Sequence, residues 1–210
     1  TDAGQGASEA LTVTLDRRAT YTVADRQAQY AAAERIKGMF QRMSTLVGQI
    51  NGVRGQASAL AQSPTAPPDV KSAAAQIGGK ADALRKEIVA TTEGGAITGE
   101  ERLREHTDEI YGAITGVEDR PTDYQVARID ALDRELKDVE AQWAAFEASD
   151  LDELNAKLKA ANIPPITVAE VTFDPKDQPR GGRASALARG LVGTHFYGDA
   201  NALVEQDEKD

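Results

Sequence analysis

The chain has no cysteine among its 210 residues, which excludes disulfides, zinc–thiolate sites and cysteine nucleophiles. Aromatic residues make up only 5% of it. A core built on large rings is therefore out of reach, and the alanine-rich alternative suits close-packed helices better than sheets. No segment reaches the ~18 consecutive apolar residues of a membrane-spanning helix. Positive charge is also short: 24 Lys and Arg face 34 Asp and Glu, for a net charge of −10. That balance disfavours nucleic acid, whose phosphates need clustered cations, and anionic membrane surfaces.

Histidine occurs twice. His106 falls in a helical stretch with Leu103 three residues before it, so it lacks the Glu-x-x-His pairing of a di-iron bundle. His195 stands alone near the C-terminus with no companion ligands. Neither a G-x-G-x-x-G nor a Walker phosphate loop is present. The acids Asp130, Asp133 and Glu140 interleave with Arg134 and Lys137 and read as a solvated helix face. Arg180-Gly181-Gly182-Arg183 is one isolated RGG-like element in an acidic chain and reads as linker. No catalytic, cofactor-binding or metal-binding set is expected.

What the chain does have is a long apolar seam: Ile36, Met39, Met43, Leu46, Ile50, Val53, Ala57 and Leu60, separated by alternating steps of three and four. That spacing lays one narrow stripe along a helix, as in a coiled coil or long-helix bundle. Thr22 with Asp25 marks the start of this first helix, and the Ser63–Pro68 stretch stops it near Gln62. A second seam (Val70, Ala74, Ile77, Ala81, Leu84, Ile88, Thr91) runs from Pro67 or Pro68 to Gly94-Gly95. Thr98 with Glu101 reads as a capping box for a third helix carrying Leu103, Thr107, Ile110, Ile114 and Val117. A fourth, after Arg120-Pro121-Thr122, carries Ile129, Leu132, Leu136, Val139, Trp143 and Phe146. Asp150 with Glu153 restarts it as a short fifth helix, which Asn162 and Pro164-Pro165 end.

The expected fold is mainly α: an antiparallel up-down-up-down four-helix bundle with long helices, flanked by two short β-strands. One strand is Leu11, Val13 and Leu15, alternating with threonines. The other spans Ile166–Phe173, with a phase change near Ala169-Glu170. Residues 1–21 form an N-terminal segment, 22–162 the bundle, 163–174 the C-terminal strand and 175–210 a flexible or docking tail. Gly48, Gly52 and Gly55 recur on one face of the first helix. They are interaction candidates together with the strand edge at Leu11, Val13 and Leu15.

Several stretches in order carry a resemblance. They are Leu11–Arg17, Thr22–Tyr30, Ile110–Ile114, Arg120-Pro121-Thr122, and Asp150–Leu158 running into Asn162–Ile166. The set resembles the C-terminal region of bacterial sortilin-like, BNR-repeat β-propeller proteins, often labelled glycosyl hydrolase-like. There a propeller and a small β-sandwich precede an all-helical domain that ends in a Leu-Asn-x-x-Leu…Leu-Pro-x-Ile segment. The resemblance implies an exported location, periplasmic, cell-surface or extracellular. It also implies that Leu11–Leu15 is the last strand of the sandwich. The chain begins with Thr1 rather than Met and has no basic-then-apolar leader, and is expected to be a processed or excised piece of something longer.

The function expected is that of a non-catalytic structural or interaction module acting by helix-face docking. Its partner would be its own propeller and sandwich or another subunit, with no cofactor and no membrane insertion. The alternatives are a stand-alone coiled-coil scaffold that oligomerises through the first helix, and a glycan-active enzyme domain with two facing carboxylates.

Overall fold

A computed structural model describes residues 10–12, 14, 16, 18–91 and 99–171. It is mainly helical: α1 (Val23–Ala61), α2 (Pro68–Ile88), α3 (Leu103–Thr115), α4 (Asp123–Phe146), a π-helical turn (Glu147–Leu151) and α5 (Asp152–Ala160). Each boundary has a local cause. The Thr22 hydroxyl accepts from the Asp25 N–H, and the Asp25 carboxylate accepts from the Thr22 N–H, so two orphan donors at the α1 start are satisfied. Thr122 and Gln125 do the same for α4. Pro67 and Pro68 open α2 with a φ already helical and no N–H to lose. The seam residues from Ile36 to Ala57 on α1, from Val70 to Ile88 on α2 and from Ile129 to Phe146 on α4 are buried, all but Ala74 in one apolar cluster.

Two expected boundaries move. α2 stops at Ile88 rather than at Gly94-Gly95, so Thr91 leaves the seam. The chain turns extended at Val89, and carboxylates from further along take up the N–H groups that follow: Glu105 accepts from Ala90 and Glu100 from Thr91. α3 begins at Leu103, with Glu105 accepting from the Arg102 N–H. Glu101 therefore lies before the helix, and Thr98 lies outside the described residues. At Asp150 no cap forms. The chain passes from α4 into α5 through the π-helical turn, and Asp150 pairs with Lys80 of α2 instead.

Residue pairings give the helix directions. α1 meets α2 at Arg54–Asp82 and Ala57–Gly78, so the two run antiparallel. α4 meets α1 at Arg35–Asp130 and Arg42–Glu140, a parallel pair. It meets α2 at Glu87–Gln142, and Lys80–Asp150 continues the same antiparallel register just beyond it. α3 departs from the expected alternation. Gln29, near the start of α1, donates to Ile114 O at the C-terminal end of α3, while Phe40, further along α1, meets Tyr111. α3 therefore runs antiparallel to α1, the direction α2 already has, whereas up-down-up-down order would set it parallel to α1. The physical reason is length. α1 has 39 residues, about 58 Å of helix, while α2 has 21 and α3 has 13. It takes both in series to cover the α1 seam.

No strand forms among the described residues. Leu11 is 80% exposed, Thr12 and Thr14 are exposed and not in a strand, and Val13 and Leu15 lie outside the described residues. The second is described as far as Val171 and is not a strand. Among the described residues no partner strand is at hand, and helix side chains take the place of a ladder. Asn155 on α5 accepts from the Ile166 N–H at 2.8 Å and donates to its carbonyl at 3.0 Å. Gln56 on α1 accepts from the Thr167 N–H at 3.1 Å and donates to its carbonyl at 2.7 Å. Consecutive residues of this strap are thus held from opposite sides.

Candidate interaction surface

The strap decides the fate of the glycine face. α5 ends with Asn162 in the left-handed region, φ 56°, and Ile163 N–H closes back on Leu158 O at 2.9 Å. This is a Schellman ending, and it redirects the chain toward α1. Ile166 is buried, Val168 packs on the core, and Val171 comes to rest on Gly48. The phase of the inward side chains changes between Val168 and Val171, where the sequence pattern placed it. A Cβ at Gly48 would lie 3.0 Å from a Val171 methyl, so any larger residue would push the strap outward by a few tenths of an ångström. Of the three glycines proposed for docking, Gly48 is already covered by the chain itself. Gly52 and Gly55 have open space where a Cβ would stand.

The α1–α4 flank is polar. The Arg42 guanidinium bonds Glu140 through both carboxylate oxygens, at 2.8 and 2.5 Å, and Asp133 at 2.5 Å. These acids are therefore not merely a solvated face; with Asp130 they tie α4 to α1. The Lys137 ammonium, then Arg42, hold the Asp133 carboxyl below its usual range. Beside this cluster lies an open groove of about 510 Å³ lined by Gly38, Gln41, Arg42, Thr45, Leu46, Gln49, Glu140 and Trp143. Trp143 stacks on Phe146 and is buried, and its indole N–H has no acceptor in hydrogen-bonding geometry among the described residues. The nearby Glu147 carboxyl is pushed up by burial, and the indole relieves only part of that.

Two buried polar residues on the core faces gave no sequence signal. Gln29 closes the α3 end through Ile114 O. Arg104 is nine-tenths buried and makes no ion pair among the described residues; burial lowers its pKa. His106 is half-buried and lies 3.7 Å from Glu101. His195 lies outside the described residues. Among the described residues no group of three or more His, Cys, Asp or Glu could hold a metal ion. No helix in them is long and apolar enough to cross a membrane.

Leu11 apart, the exposed large apolar side chains among the described residues gather at one end. Val23 and Tyr30 stand on the first turns of α1, Val117 on the α3–α4 turn, and Tyr124 and Val126 on the first turn of α4. Tyr30 is 69% exposed and Tyr124 76%. Between α1 and α4 at this end is an open recess of about 350 Å³ lined by Ala28, Arg120, Pro121, Asp123, Val126, Ala127 and Asp130. The N-terminal segment joins here, held by the Tyr21 hydroxyl donating to Glu118 at 2.6 Å. Nothing in the spacing of the seams distinguished this end, because each residue is only one polar-face exception on its own helix.

Compared with protein-family models, curated proteins and solved structures, the chain finds no match.

Proposed function

We propose that this chain is a non-catalytic helical interaction module of a larger exported β-propeller protein of the sortilin-like, BNR-repeat kind. In this reading the fold is a three-arm helical bundle whose second arm, α2 followed by α3, is interrupted, and residues 10–21 lead in from a preceding β-sandwich. The bundle docks through its N-terminal end against that sandwich and propeller. The supporting observation is the cluster of Val23, Tyr30, Val117, Tyr124 and Val126 at the end where the N-terminal segment joins. Exposed apolar patches of this sort mark interaction surfaces, and tyrosine supplies contact area with a polar tip.

The competing scaffold reading needs the α1 stripe free for another chain. Ile36 to Ala57 are instead consumed in the chain's own core. A glycan-active enzyme needs two facing carboxyls; Glu147, the one carboxyl raised among the described residues, faces an indole.

The test is cross-linking and hydrogen exchange on the protein isolated from its source, compared with the 210-residue chain alone. The expected result is a larger protein with propeller-type peptides upstream of Thr1, and amide protection around Tyr30 and Tyr124 that the isolated chain lacks. Equal protection in both, or a source protein that starts at Thr1, overturns the proposal.

A further inference from the structure

Trp143 stands in the last turn of α4, and Glu147, four residues on, opens the π-helical turn that leads to α5. Residues four apart on a helix are surface neighbours, so a donor and an acceptor share one side of this joint. Neither is fully satisfied. The indole N–H is buried with no acceptor among the described residues. An indole can only donate, and a buried donor without a partner works against folding. Burial raises the Glu147 pKa, and the indole, close by, lowers it only in part. The two groups thus stand within reach of each other but outside hydrogen-bonding geometry. The π turn replaces the α-helical ladder with wider i→i+5 bonds, so Glu147 sits where the backbone already departs from regular helix.

We propose that Trp143 and Glu147 form a proton-operated latch across the α4–α5 joint: neutral Glu147 leaves the indole unbonded, and ionised Glu147 turns to accept its N–H. The proton goes to solvent, and the carboxylate takes the indole because a charge-assisted bond is the stronger one. The surroundings leave Glu147 no other cation. On α1, Arg42 is level with Glu140, which puts Glu147 level with about Gln49; α1 has no charged residue between Arg42 and Arg54. On α2, Lys80 is taken by Asp150, and Arg85 and Lys86 by Asp82. α3 runs antiparallel to α4 from the Ala113–Gln125 contact, so its first residue is level with only about Glu135. The charged residues of α5, Asp152, Glu153, Lys157 and Lys159, are exposed, as is Glu170 on the strap. Closing the latch fixes the first residue of the turn. Its effect passes through α5 to the strap, because Asn155 holds both backbone groups of Ile166.

Trp143 is the only tryptophan in the chain, so a single indole resonance reports the latch. The test is a pH titration of the full chain by two-dimensional NMR. The indole proton is expected to move downfield as pH rises, with a midpoint above the usual glutamate value of about 4.3. The Asn155 side-chain amide is expected to shift with the same midpoint. Glu147→Gln, which mimics the neutral acid, is expected to abolish both steps. Asp150→Asn, which removes the other carboxyl of the turn, is expected to keep them. An indole proton that does not titrate overturns the proposal, as does a step that survives in Glu147→Gln or disappears in Asp150→Asn. An Asn155 amide that stays still, or moves with a different midpoint, overturns the coupling to the strap and with it the latch as proposed.

Discussion

At the scale of single residues, the stability of this protein is tuned by a few carboxyls that face helix partners. Asp82 is held below its usual range by the Lys86 ammonium first, with Arg85 and Arg54 adding to it. A depressed carboxyl favours the folded state above its unfolded pKa, near 3.9, and loses that contribution as pH falls through its folded value. Asp82→Asn is therefore expected to lower the melting temperature at neutral pH and to flatten the acid limb below about pH 4, measured by circular dichroism. Glu147 has the opposite sign. Burial raises its pKa, so its ionisation opposes folding as pH rises above its unfolded value, near 4.3. Glu147→Gln removes that opposition and keeps an acceptor near the Trp143 indole. The expected outcome is a higher melting temperature above about pH 5 and no gain near pH 3.5. The Lys86 and Arg85 partners of Asp82 lie one turn along the same helix, a spacing the sequence carries. The contribution of Arg54 and the burial of Glu147 could not be read from it, because helical periodicity reports only which face a residue occupies.

At the scale of elements, the three glycines of α1 separate what helix chemistry prefers from what packing requires. Glycine inside a helix costs up to ~1 kcal/mol against alanine. Gly52 and Gly55 have open space at their Cβ positions, so Gly52→Ala and Gly55→Ala are each expected to stabilise the chain by about that amount in denaturant melts. Gly48→Ala meets a Val171 methyl at 3.0 Å. Its propensity gain is expected to be offset by displacement of the strap, seen as faster hydrogen exchange at Thr167 N–H with little change in global stability. The helices themselves were legible. The seam residues of α1 from Ile36 to Ala57, the caps at Thr22 and Thr122, and the stop at Asn162 all stand where spacing and capping chemistry place them. The strap was legible only as an alternating apolar segment. Whether such a segment pairs with a strand or is held by side-chain amides depends on what lies beside it, and Gln56 and Asn155 are far away in sequence.

At the scale of the whole molecule, the order of directions is the main surprise. Alternating helices joined by short loops predict an up-down-up-down bundle, yet α3 follows the direction of α2. Spin labels on Gln27 and Thr115 are expected to be close. Labels on Gln27 and Arg102 should be farther apart by about 20 Å, the length of α3; the alternating topology reverses that order, so a pulsed-EPR distance pair decides it. The connection between Val89 and Arg102 is long enough to let the chain either turn back or continue, and nothing in its composition chooses.

By itself the sequence determined the mainly helical character, the buried stripes and the absence of thiol chemistry, because these follow from local spacing and composition. Only the tertiary structure decided the direction of α3, the contact of Val171 on Gly48 and the gathering of Val23, Tyr30, Val117, Tyr124 and Val126 at one end. Each of these depends on which residues from distant parts of the chain come to share a surface, and one helix's periodicity carries no information about its neighbour's register.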